Sequence, residues 1–139
     1  MPETARLLLT GAGGLLGSNI ARLAGDSFHV TKIFSPRGTG LNTIRLDLSR
    51  PDIREGLVAR FRPDLVINCA ANLSAESCES GEKGAHQINV ELPADLAKQS
   101  LSFGARFVHV SSDAVYSGDA GNYSAVSYTH LRAHETEAD

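Results

Sequence analysis

The sequence contains few cysteines, no run of basic residues and no long apolar segment, and each absence excludes a class of protein. Two cysteines, Cys69 and Cys78, do not make the disulfide framework of a small secreted domain, so we expect a reduced, cytoplasmic protein. A net charge of −3 without a basic run argues against a nucleic-acid-binding surface. No apolar segment is long enough to cross a bilayer and no secretory leader precedes the first predicted strand, so we expect no membrane association.

What is present is an ordinary apolar content, 42% of 139 residues, arranged in alternating strand and helix patterns. A chain of this length is enough for one domain with a sizeable core. The predicted strands cover 6–10, 29–34, 43–47, 64–69 and 106–111, and the predicted helices cover 14–24, a segment that begins after residue 49, and 81–102. This alternation predicts an α/β fold built on a doubly wound parallel sheet.

The spacing of apolar residues also predicts features within the helices. Ser49 is expected to cap the second helix, with Pro51 in its first turn. Pro93 is expected to kink or break the long third helix, because proline lacks the N–H that the helix needs. The residues predicted to share apolar helix faces are Leu16, Ile20, Leu23, Ile53, Leu57 and Phe61.

A glycine-rich turn between the first strand and the first helix is the most informative motif. Its spacing is Gly11-x-x-Gly14-x-x-Gly17, with Gly13 as an additional glycine. Glycine lets the backbone approach a pyrophosphate closely, and the helix N-terminus that follows offers N–H groups and a partial positive charge. A strand before the glycines and a helix after them are typical of a dinucleotide fingerprint. The motif therefore predicts a nucleotide cofactor bound to a Rossmann-type domain.

Small or polar residues follow every predicted strand, at the edge where parallel sheets bind their ligands. Beyond the glycines, the small or polar residues are Ser35, Arg37, Asp47, Cys69, Ala70, Ala71, Ser111, Ser112 and Asp113. Leu15, Leu16 and Leu48 lie in the same turns. Their convergence supports a binding site without naming its reaction.

The end of the second strand bears on the choice of cofactor. NAD enzymes commonly place an acidic residue there to bind the ribose 2′-hydroxyl. This chain has Phe34-Ser35-Pro36-Arg37 instead, so no carboxylate repels a 2′-phosphate and Arg37 can pair with one. NADP(H) is therefore favoured and NAD(H) stays open, as does the alternative that Arg37 is a solvated loop residue.

The end of the chain requires separate treatment. Residues 126–136 match, residue for residue, the translation of a transposase adaptor used in sequencing libraries. We therefore expect native sequence to stop near residue 125, and we exclude 126–139 from the fold. On this interpretation residues 1–125 are a C-terminally truncated cofactor domain, and the substrate-binding domain is absent.

Two apparent sites fall within the excluded segment. His130 and His134 have the spacing of two metal ligands on one helix face. Tyr128 and Arg132 imitate a catalytic Tyr-x-x-x-Lys pair. Both interpretations are set aside with the segment, and we expect no metal site.

The chain resembles the extended short-chain dehydrogenase/reductase superfamily and, within it, the dTDP-4-dehydrorhamnose reductase family of sugar-nucleotide reductases. The resemblance covers most of residues 5–120 in the same order. The matching segments are Leu9-Thr-Gly-Ala-Gly-Gly-Leu-Leu-Gly17, Leu46-Asp-Leu48, Pro63-Asp-Leu-Val-Ile-Asn-Cys-Ala-Ala71, Ile88-Asn-Val90 and Val108-His-Val-Ser-Ser-Asp-Ala-Val-Tyr-Ser-Gly118.

The resemblance implies roles for the matching cofactor-side residues. Asp47 would accept a hydrogen bond from the adenine amino group with Leu48 near the ring, although a plain loop carboxylate is the alternative for Asp47. Asn89 would support the active-site scaffold, with a solvated helix-surface asparagine as the alternative. Gly11, Gly14 and Gly17 would cradle the pyrophosphate, with Gly13, Leu15 and Leu16 in the same loop, and Ala70 and Ala71 would lie beneath the cofactor. The other residues expected to bind the cofactor are Ser35, Arg37, Cys69 and Ser111.

Ser112 matches the catalytic Ser/Thr of the superfamily. Its hydroxyl would hydrogen-bond the substrate carbonyl as hydride arrives and would stabilise the developing alkoxide. The Tyr and Lys that complete the catalytic set lie further along the chain in the superfamily, and Tyr116 is at the wrong position to replace the Tyr. Ala114 departs from the reductase pattern, which has an aromatic residue there, and the Ser-Ser-x-x-Val-Tyr form also suits epimerases.

Three functions therefore remain open for the parent protein. The first is an NADPH-dependent reductase of the 4-keto group of a dTDP-linked deoxysugar. The second is an NAD-dependent nucleotide-sugar epimerase or dehydratase, and the third is a non-catalytic NAD(P)-binding regulatory subunit. A nucleotide sugar is the substrate that the resemblance implies, and a homodimer stays open. We expect this chain alone to be inactive.

Overall fold

The computed structural model describes residues 4–37, 43–74, 76, 80, 83–112, 116, 118–119, 121–122 and 124. Residues 1–109 form one compact unit and residues 110–139 form another. The strands of the first unit are β1 (Arg6–Thr10), β2 (His29–Phe34), β3 (Ile44–Arg45), β4 (Leu65–Asn68) and β5 (Arg106–His109). Its helices are α1 (Leu15–Ala24), α2 (Pro51–Arg54), α3 (Leu57–Phe61), α4 (Lys83–His86), a π-helix (Gln87–Glu91) and α5 (Leu92–Phe103).

The five strands form one parallel sheet in the order β3-β2-β1-β4-β5. From β1 the chain runs first to β2 and β3 on one side, and then crosses to β4 on the other side. The strand order therefore reverses beside β1, and doubly wound sheets bind ligands at the carboxyl ends of the strands next to such a reversal. Thr10 of β1 pairs with Asn68 of β4 at this edge. The predicted fold class is confirmed, although β3 is shorter than the predicted strand 43–47.

Side chains of β1 alternate between two apolar clusters, one on each face of the sheet. Leu8 belongs to the cluster that α3 and α5 cover, and Leu7 and Leu9 belong to the cluster that α1 covers. All three leucines are at most 1% exposed. Burial on both faces is typical of a central parallel strand and explains the continuous apolar run of its sequence.

The face that α1 turns toward the sheet differs from the predicted one. Leu16 and Leu23 are 48% and 66% exposed, and of the predicted face only Ile20 packs against the sheet. The helix instead contacts the core through Gly17 together with Ile20 and Ala24. Gly17 lies against the backbone of Gly11, and this close approach turns its side of the helix inward. A local steric contact therefore decided the orientation, rather than the size of the apolar side chains.

The segment predicted as one helix after Ser49 is two short helices, α2 and α3. Gly56 takes a left-handed conformation with φ of +65°, which ends the first helix and redirects the chain into the second. Ser49 does not cap α2, because its hydroxyl donates to Asp47 Oδ1 at 2.6 Å and Arg50 occupies the cap position. The apolar stripe nevertheless packs into one cluster, with Leu57 buried and Ile53 beside it.

The helix does not break at Pro93, and the turn before the proline changes helix type. The turn before Pro93 is π-helical, and the N–H of Leu92 donates to the carbonyl of Gln87, five residues earlier. Proline has no N–H and its ring clashes with the carbonyl four residues before it, so a wider turn relieves both problems. The helical path from Lys83 to Phe103 therefore continues past the proline.

Two further observations concern only the part of the chain that the structure describes. Within it, no helix is both long and apolar enough to span a membrane. Within the same residues, no group of three His, Cys, Asp or Glu side chains converges as a metal site would. Cys78, Asp113, Ala114 and the segment 126–139 lie outside the described residues.

Candidate functional site

The glycine turn after β1 is packed so tightly against β4 that larger residues do not fit. Gly11 has φ of +67°, and a Cβ atom there would lie 2.5 Å from the carbonyl carbon of Cys69. The carbonyl of Gly11 accepts a hydrogen bond from Gly14 N–H at 3.0 Å. A Cβ atom on Gly17 would lie 2.8 Å from the carbonyl carbon of Gly11. The three spaced glycines therefore bring the turn, the start of α1 and the end of β4 together.

The first turn of α1 is arranged to receive an anion. Gly14 is the N-cap residue and supplies no side-chain hydrogen bond to the helix. The N–H groups of a first helical turn have no partner within the helix, and the macrodipole makes this end partially positive. Leu15, at the start of α1, is 88% exposed and so does not cover these groups. The first turn of α1 therefore offers backbone N–H groups that an anion can bind.

An arginine from the neighbouring strand reaches the end of β2. Arg45 of β3 donates from Nη1 to the carbonyl of Ser35 at 2.9 Å, and its guanidinium lies 5.8 Å from the centre of the Phe34 ring. Ser35 Oγ donates to the carbonyl of Arg37 at 3.0 Å, which shapes the turn that carries Arg37. Gly13 packs on this side as well, since a Cβ atom there would be 3.2 Å from Phe34 Cδ1. Two arginines therefore lie around the turn after β2.

Asp47 organises the turn after β3 with one of its two carboxylate oxygens. Oδ1 accepts hydrogen bonds from Ser49 N–H at 3.1 Å and from Ser49 Oγ at 2.6 Å. Among the described residues no donor contacts Oδ2, so the exposed side chain keeps one oxygen for a ligand. Leu48 is only 6% exposed and belongs to the core, which leaves little of its side chain for contact with a ring.

An ion pair lies directly beyond this turn. Arg50 binds Asp52 with the closest nitrogen–oxygen distance at 2.6 Å. The hydrogen bond from Arg50 lowers the pKa of Asp52, and the same bond raises the pKa of Arg50. Both side chains are about three-fifths exposed, so solvent screens the pair and it contributes little to the stability of the fold.

A row of polar residues crosses three strands at the carboxyl edge of the sheet. Thr10 and Asn68 are fully buried, and the Thr10 hydroxyl donates to Asn68 Oδ1 at 2.5 Å. Asn68 Nδ2 lies 3.1 Å from His109 Nδ1. An amide NH₂ is only a donor, so His109 Nδ1 is the acceptor in this contact. These hydrogen bonds hold together the ends of β1, β4 and β5, next to the glycine turn.

The residues after β4 combine a small-residue surface with an asparagine clamp. Cys69 is half-buried, and burial raises the pKa of its thiol above the ordinary value. Ala70 and Ala71 follow without bulky side chains. Asn89 of the π-helix accepts from Asn72 N–H at 2.8 Å and donates to Asn72 O at 3.0 Å. These paired bonds exclude a solvated surface role for Asn89, which instead holds the turn after β4.

The structure brings most of the predicted cofactor residues to one edge of the sheet. The glycine turn, Arg37, Asp47, Cys69 and Asn89 all lie in the first unit, on the turns that follow β1, β2, β3 and β4 or on the helix clamped to them. Ser111 and Ser112 follow β5 in the chain, are exposed and belong to the second unit. In that unit Tyr116 is half-buried and its hydroxyl is 3.5 Å from the Ser124 carbonyl.

Sequence reasoning missed two arginines and two polar strand residues. Arg45 lies in a short strand, and only the pairing of Arg45 with Phe34 reveals that it reaches Ser35. Arg54 is 1% exposed although arginine is rarely buried. Its signal was the spacing of Glu91 and Asp95, one helical turn apart, which places two carboxylates on one face. The hydrogen bond between Thr10 and Asn68 was not predicted, because a polar residue at the end of an apolar strand is ordinary.

Comparison with known proteins identifies the family. A model of the family described as RmlD substrate binding domain matches residues 5–130. The chain belongs to this family. The match covers nearly the whole chain and includes the glycine turn, the Asp47 turn and the β4 edge described above. It also includes residues 126–130. The resemblance to sugar-nucleotide reductases is thereby confirmed.

Individual relatives agree with this assignment. A dTDP-4-dehydrorhamnose reductase from Aggregatibacter actinomycetemcomitans is 32% identical over 127 residues, which are 91% of this chain and 41% of that protein. The structure of a hypothetical dTDP-4-dehydrorhamnose reductase from Sulfolobus tokodaii has a TM-score of 0.79 at 31% identity, covering 87% of this chain and 44% of that one. The structure of a dTDP-4-dehydrorhamnose reductase from Bacillus anthracis in complex with NADP has a TM-score of 0.71 at 26% identity, covering 87% and 41%. The chain therefore spans about two fifths of the length of these relatives.

Proposed function

We propose that this chain is the cofactor-binding part of an NADPH-dependent reductase that acts on the 4-keto group of a dTDP-linked deoxysugar. The observation that carries the proposal is the packing of Gly11 against the Cys69 backbone after β4 and of Gly17 against the Gly11 backbone, where any Cβ atom would collide. Such close packing at an uncapped helix N-terminus leaves backbone N–H groups for a pyrophosphate. The bound cofactor would supply the hydride that reduces the sugar ketone.

The adenine end of the cofactor would lie at the turn after β3. Asp47 Oδ2 is the acceptor suited to the adenine amino group, because Oδ1 is already engaged by Ser49. A carboxylate has two acceptor oxygens, so Asp47 can accept a further hydrogen bond at Oδ2 while Ser49 donates to Oδ1. Leu48 contributes backbone rather than side-chain surface, since its side chain is buried in the core.

Positive charge at the end of β2 supports NADP(H) over NAD(H). Arg37 and Arg45 flank Ser35, and Arg45 uses only one of its donors on the Ser35 carbonyl. Arginine has five N–H donors in a planar fork and binds phosphate through two at once. A 2′-phosphate would therefore find two guanidinium groups at this turn, and the complex of the Bacillus anthracis relative with NADP is in line with this choice.

The nicotinamide end would lie over the turn after β4. Cys69, Ala70 and Ala71 present small side chains there, and the clamp between Asn89 and Asn72 keeps the turn in place. Ser112 follows β5 and is the hydroxyl proposed to hydrogen-bond the substrate carbonyl, in keeping with the family resemblance. Its exposure to solvent is suited to contact with a substrate.

The proposal extends to the boundaries and the setting of the domain. We propose that residues 1–125 are the cofactor domain of a longer, cytoplasmic protein that binds a nucleotide sugar, and that 126–139 derive from adaptor sequence. Sequencing the source DNA across codon 125 with a different library chemistry tests this boundary. A reading frame that continues into a Tyr-x-x-x-Lys motif supports it, whereas a repeat of Tyr128-Thr-His-Leu131 contradicts it.

The first experiment is a calorimetric titration of this chain with NADPH and NADH. We expect saturable binding of NADPH that is at least about tenfold tighter than binding of NADH, as a charge-assisted phosphate contact provides. The Gly17→Ala variant is the matched negative control, because its added methyl group collides with the Gly11 backbone and forces α1 away from the turn. Equal affinity for both cofactors would contradict the NADP(H) assignment, and the absence of any binding by the folded chain would contradict the proposed function.

Assays of the longer protein distinguish the reductase from the epimerase or dehydratase and the regulatory subunit. We expect NADPH oxidation that depends on a dTDP-4-keto sugar and stops when Ser112 is replaced by alanine. A cofactor that copurifies and is not exchanged during turnover would instead indicate an epimerase or dehydratase. NADPH binding without turnover, in a protein that lacks the Tyr and Lys, would indicate a regulatory subunit.

A further inference from the structure

Arg54 is a buried charge for which the proposed cofactor site gives no direct role. It lies at the end of α2 and is only 1% exposed. Burying a guanidinium is unfavourable unless every donor finds a partner and its charge is compensated. Arg54 makes four hydrogen bonds and two carboxylates balance its charge, and the identity of these partners indicates what the residue does.

Two of these bonds go to the turn that carries Asp47. Arg54 Nη1 donates to the carbonyls of Leu48 and Ser49, each at 3.1 Å. These carbonyls belong to the residues directly after Asp47, and Ser49 also donates to Asp47 Oδ1. The guanidinium therefore fixes the backbone that determines where the Asp47 carboxylate points.

The other two bonds go to the helical segment that begins with the π-helix. Arg54 Nη2 donates to Glu91 Oε2 at 2.9 Å, and Nε donates to Asp95 Oδ2 at 2.8 Å. Glu91 is the last residue of the π-helix, two positions after the Asn89 that clamps the turn after β4. One buried side chain thus joins the turn after β3 to the element that holds the turn after β4.

Gln99 adds a separate support one helical turn further along α5. Its Nε2 donates to the carbonyl of Arg54 at 2.9 Å, and its Oε1 accepts from Val58 N–H at 3.1 Å. The backbone of Arg54 is therefore held independently of its guanidinium. A change limited to the side chain of Arg54 releases the Asp47 turn while Gln99 still anchors the junction between α2 and α3.

We propose that Arg54 is a positioning residue for the cofactor, which sets the adenine-side turn at Asp47 and couples it to the π-helix that sets the nicotinamide-side turn. The inference rests on the proposed cofactor site and adds to it a residue that touches no ligand. It requires binding at the adenine end to be sensed at the π-helix. A purely structural role for Arg54 requires no such coupling.

The test compares Arg54→Met with wild type, using two halves of the cofactor as separate probes. The adenine half is 2′,5′-ADP and the nicotinamide half is reduced nicotinamide mononucleotide, each titrated calorimetrically at a temperature where circular dichroism shows both proteins folded. We expect Arg54→Met to weaken 2′,5′-ADP binding about tenfold, the effect of misplacing one charge-assisted bond, and the mononucleotide less than about twofold. Arg50→Met is the matched control, because Arg50 also pairs with a carboxylate but its side chain contacts neither carbonyl of the turn.

Each outcome has a defined meaning. Unchanged 2′,5′-ADP affinity in folded Arg54→Met overturns the positioning role and leaves the proposed function standing. Equal weakening of both probes also overturns it, because that indicates general loosening of the fold. Wild-type protein that binds neither NADPH nor 2′,5′-ADP contradicts the proposed function itself.

A second measurement on wild-type protein needs no variant to fold. Hydrogen–deuterium exchange followed by mass spectrometry is run with and without 2′,5′-ADP. We expect slower exchange both at the Asp47 turn and at amides of the π-helix, and an intermediate 2′,5′-ADP affinity in Arg54→Lys, which keeps charge but not the planar fork. Protection confined to the Asp47 turn, with none in the π-helix, overturns the coupling.

Discussion

Gly17 of α1 lies against the backbone of Gly11, so close that a Cβ atom on Gly17 would be 2.8 Å from the Gly11 carbonyl carbon. Cβ atoms essentially never approach backbone this closely, and the neighbouring atoms belong to backbone that cannot rotate away. The contact explains two features at once. It brings the N-terminus of α1 over the glycine turn, and it turns the helix so that Ile20 faces the sheet while Leu23 is exposed.

Replacing Gly17 by alanine is expected to remove NADPH binding and to destabilise the chain. The methyl group forces the helix away from the turn, at a cost of roughly 1–3 kcal/mol in the free energy of unfolding, as for other overpacked sites. Thermal unfolding and NADPH titration measure the two effects. Gly25→Ala is the control, because Gly25 also borders α1 but has φ of −59° and open space of 3.7 Å to its nearest neighbours. Equal effects of the two substitutions would contradict this explanation.

Replacing Arg45 by alanine is expected to reduce the preference for NADPH over NADH. The variant loses one of the two guanidinium groups at the end of β2, and we expect NADPH affinity to fall about tenfold with NADH affinity nearly unchanged, as befits loss of one charge-assisted bond. Calorimetric titration with both cofactors measures the ratio. Arg60→Ala is the control, since Arg60 lies on α3 over the Phe61 ring and away from β2. A parallel loss for both cofactors would argue against a 2′-phosphate contact.

Substitutions of Asn89 are expected to have graded effects on stability. Asn89→Ala leaves the N–H and carbonyl of Asn72 without their side-chain partner, which costs about 1–3 kcal/mol in the free energy of unfolding. Asn89→Asp keeps the acceptor for the Asn72 N–H but places a carboxylate oxygen against the Asn72 carbonyl, so its loss is expected to be at least as large as that of Asn89→Ala. Urea unfolding of the variants gives the order. Asn19→Ala, which removes an exposed helix asparagine bonded to Leu15 O, is expected to change little.

The thiol of Cys69 is expected to react slowly at neutral pH and faster as the pH rises. Burial disfavours the thiolate and raises the pKa of Cys69, so less of the reactive form is present at pH 7 than in an ordinary cysteine. The rate of iodoacetamide labelling from about pH 6 to about pH 10 gives the apparent pKa of Cys69. The experiment uses a Cys78→Ser variant, so that Cys69 alone reacts. N-acetylcysteine is the reference compound. An apparent pKa at or below that of the reference would contradict the prediction.

Local patterns in the sequence were sufficient for the strands and the glycine turn. Apolar runs such as 64–69 predicted the buried strands because a central parallel strand is apolar on both faces. The glycine spacing predicted the turn because only residues without Cβ fit where backbone meets backbone. Ile53 and Leu57 were predicted to face the core, and they do, although Gly56 divides their helix in two.

Other predictions differ from the structure where a contact with a nearby residue prevailed over the helix pattern. Ser49 has the residue type of a helix cap, yet Asp47 engages its hydroxyl first. Pro93 was expected to kink or break its helix; the helix does not break there, and a π-helical turn precedes the proline. Leu23 has the right spacing for a buried face but is 66% exposed, because Gly17 sets the rotation of the helix.

The sequence by itself determined the order of strands and helices, the place of the glycine turn and the edge of the sheet where the site lies. These depend on residue size and spacing within a few positions of the chain. Only the tertiary structure decided that Arg54 is buried between Leu48 and Glu91, that Arg45 reaches Ser35, and that Asn89 clamps Asn72. Each of these contacts joins segments brought together by the crossing of the chain over the sheet, and no local pattern specifies which partner a polar side chain will meet there.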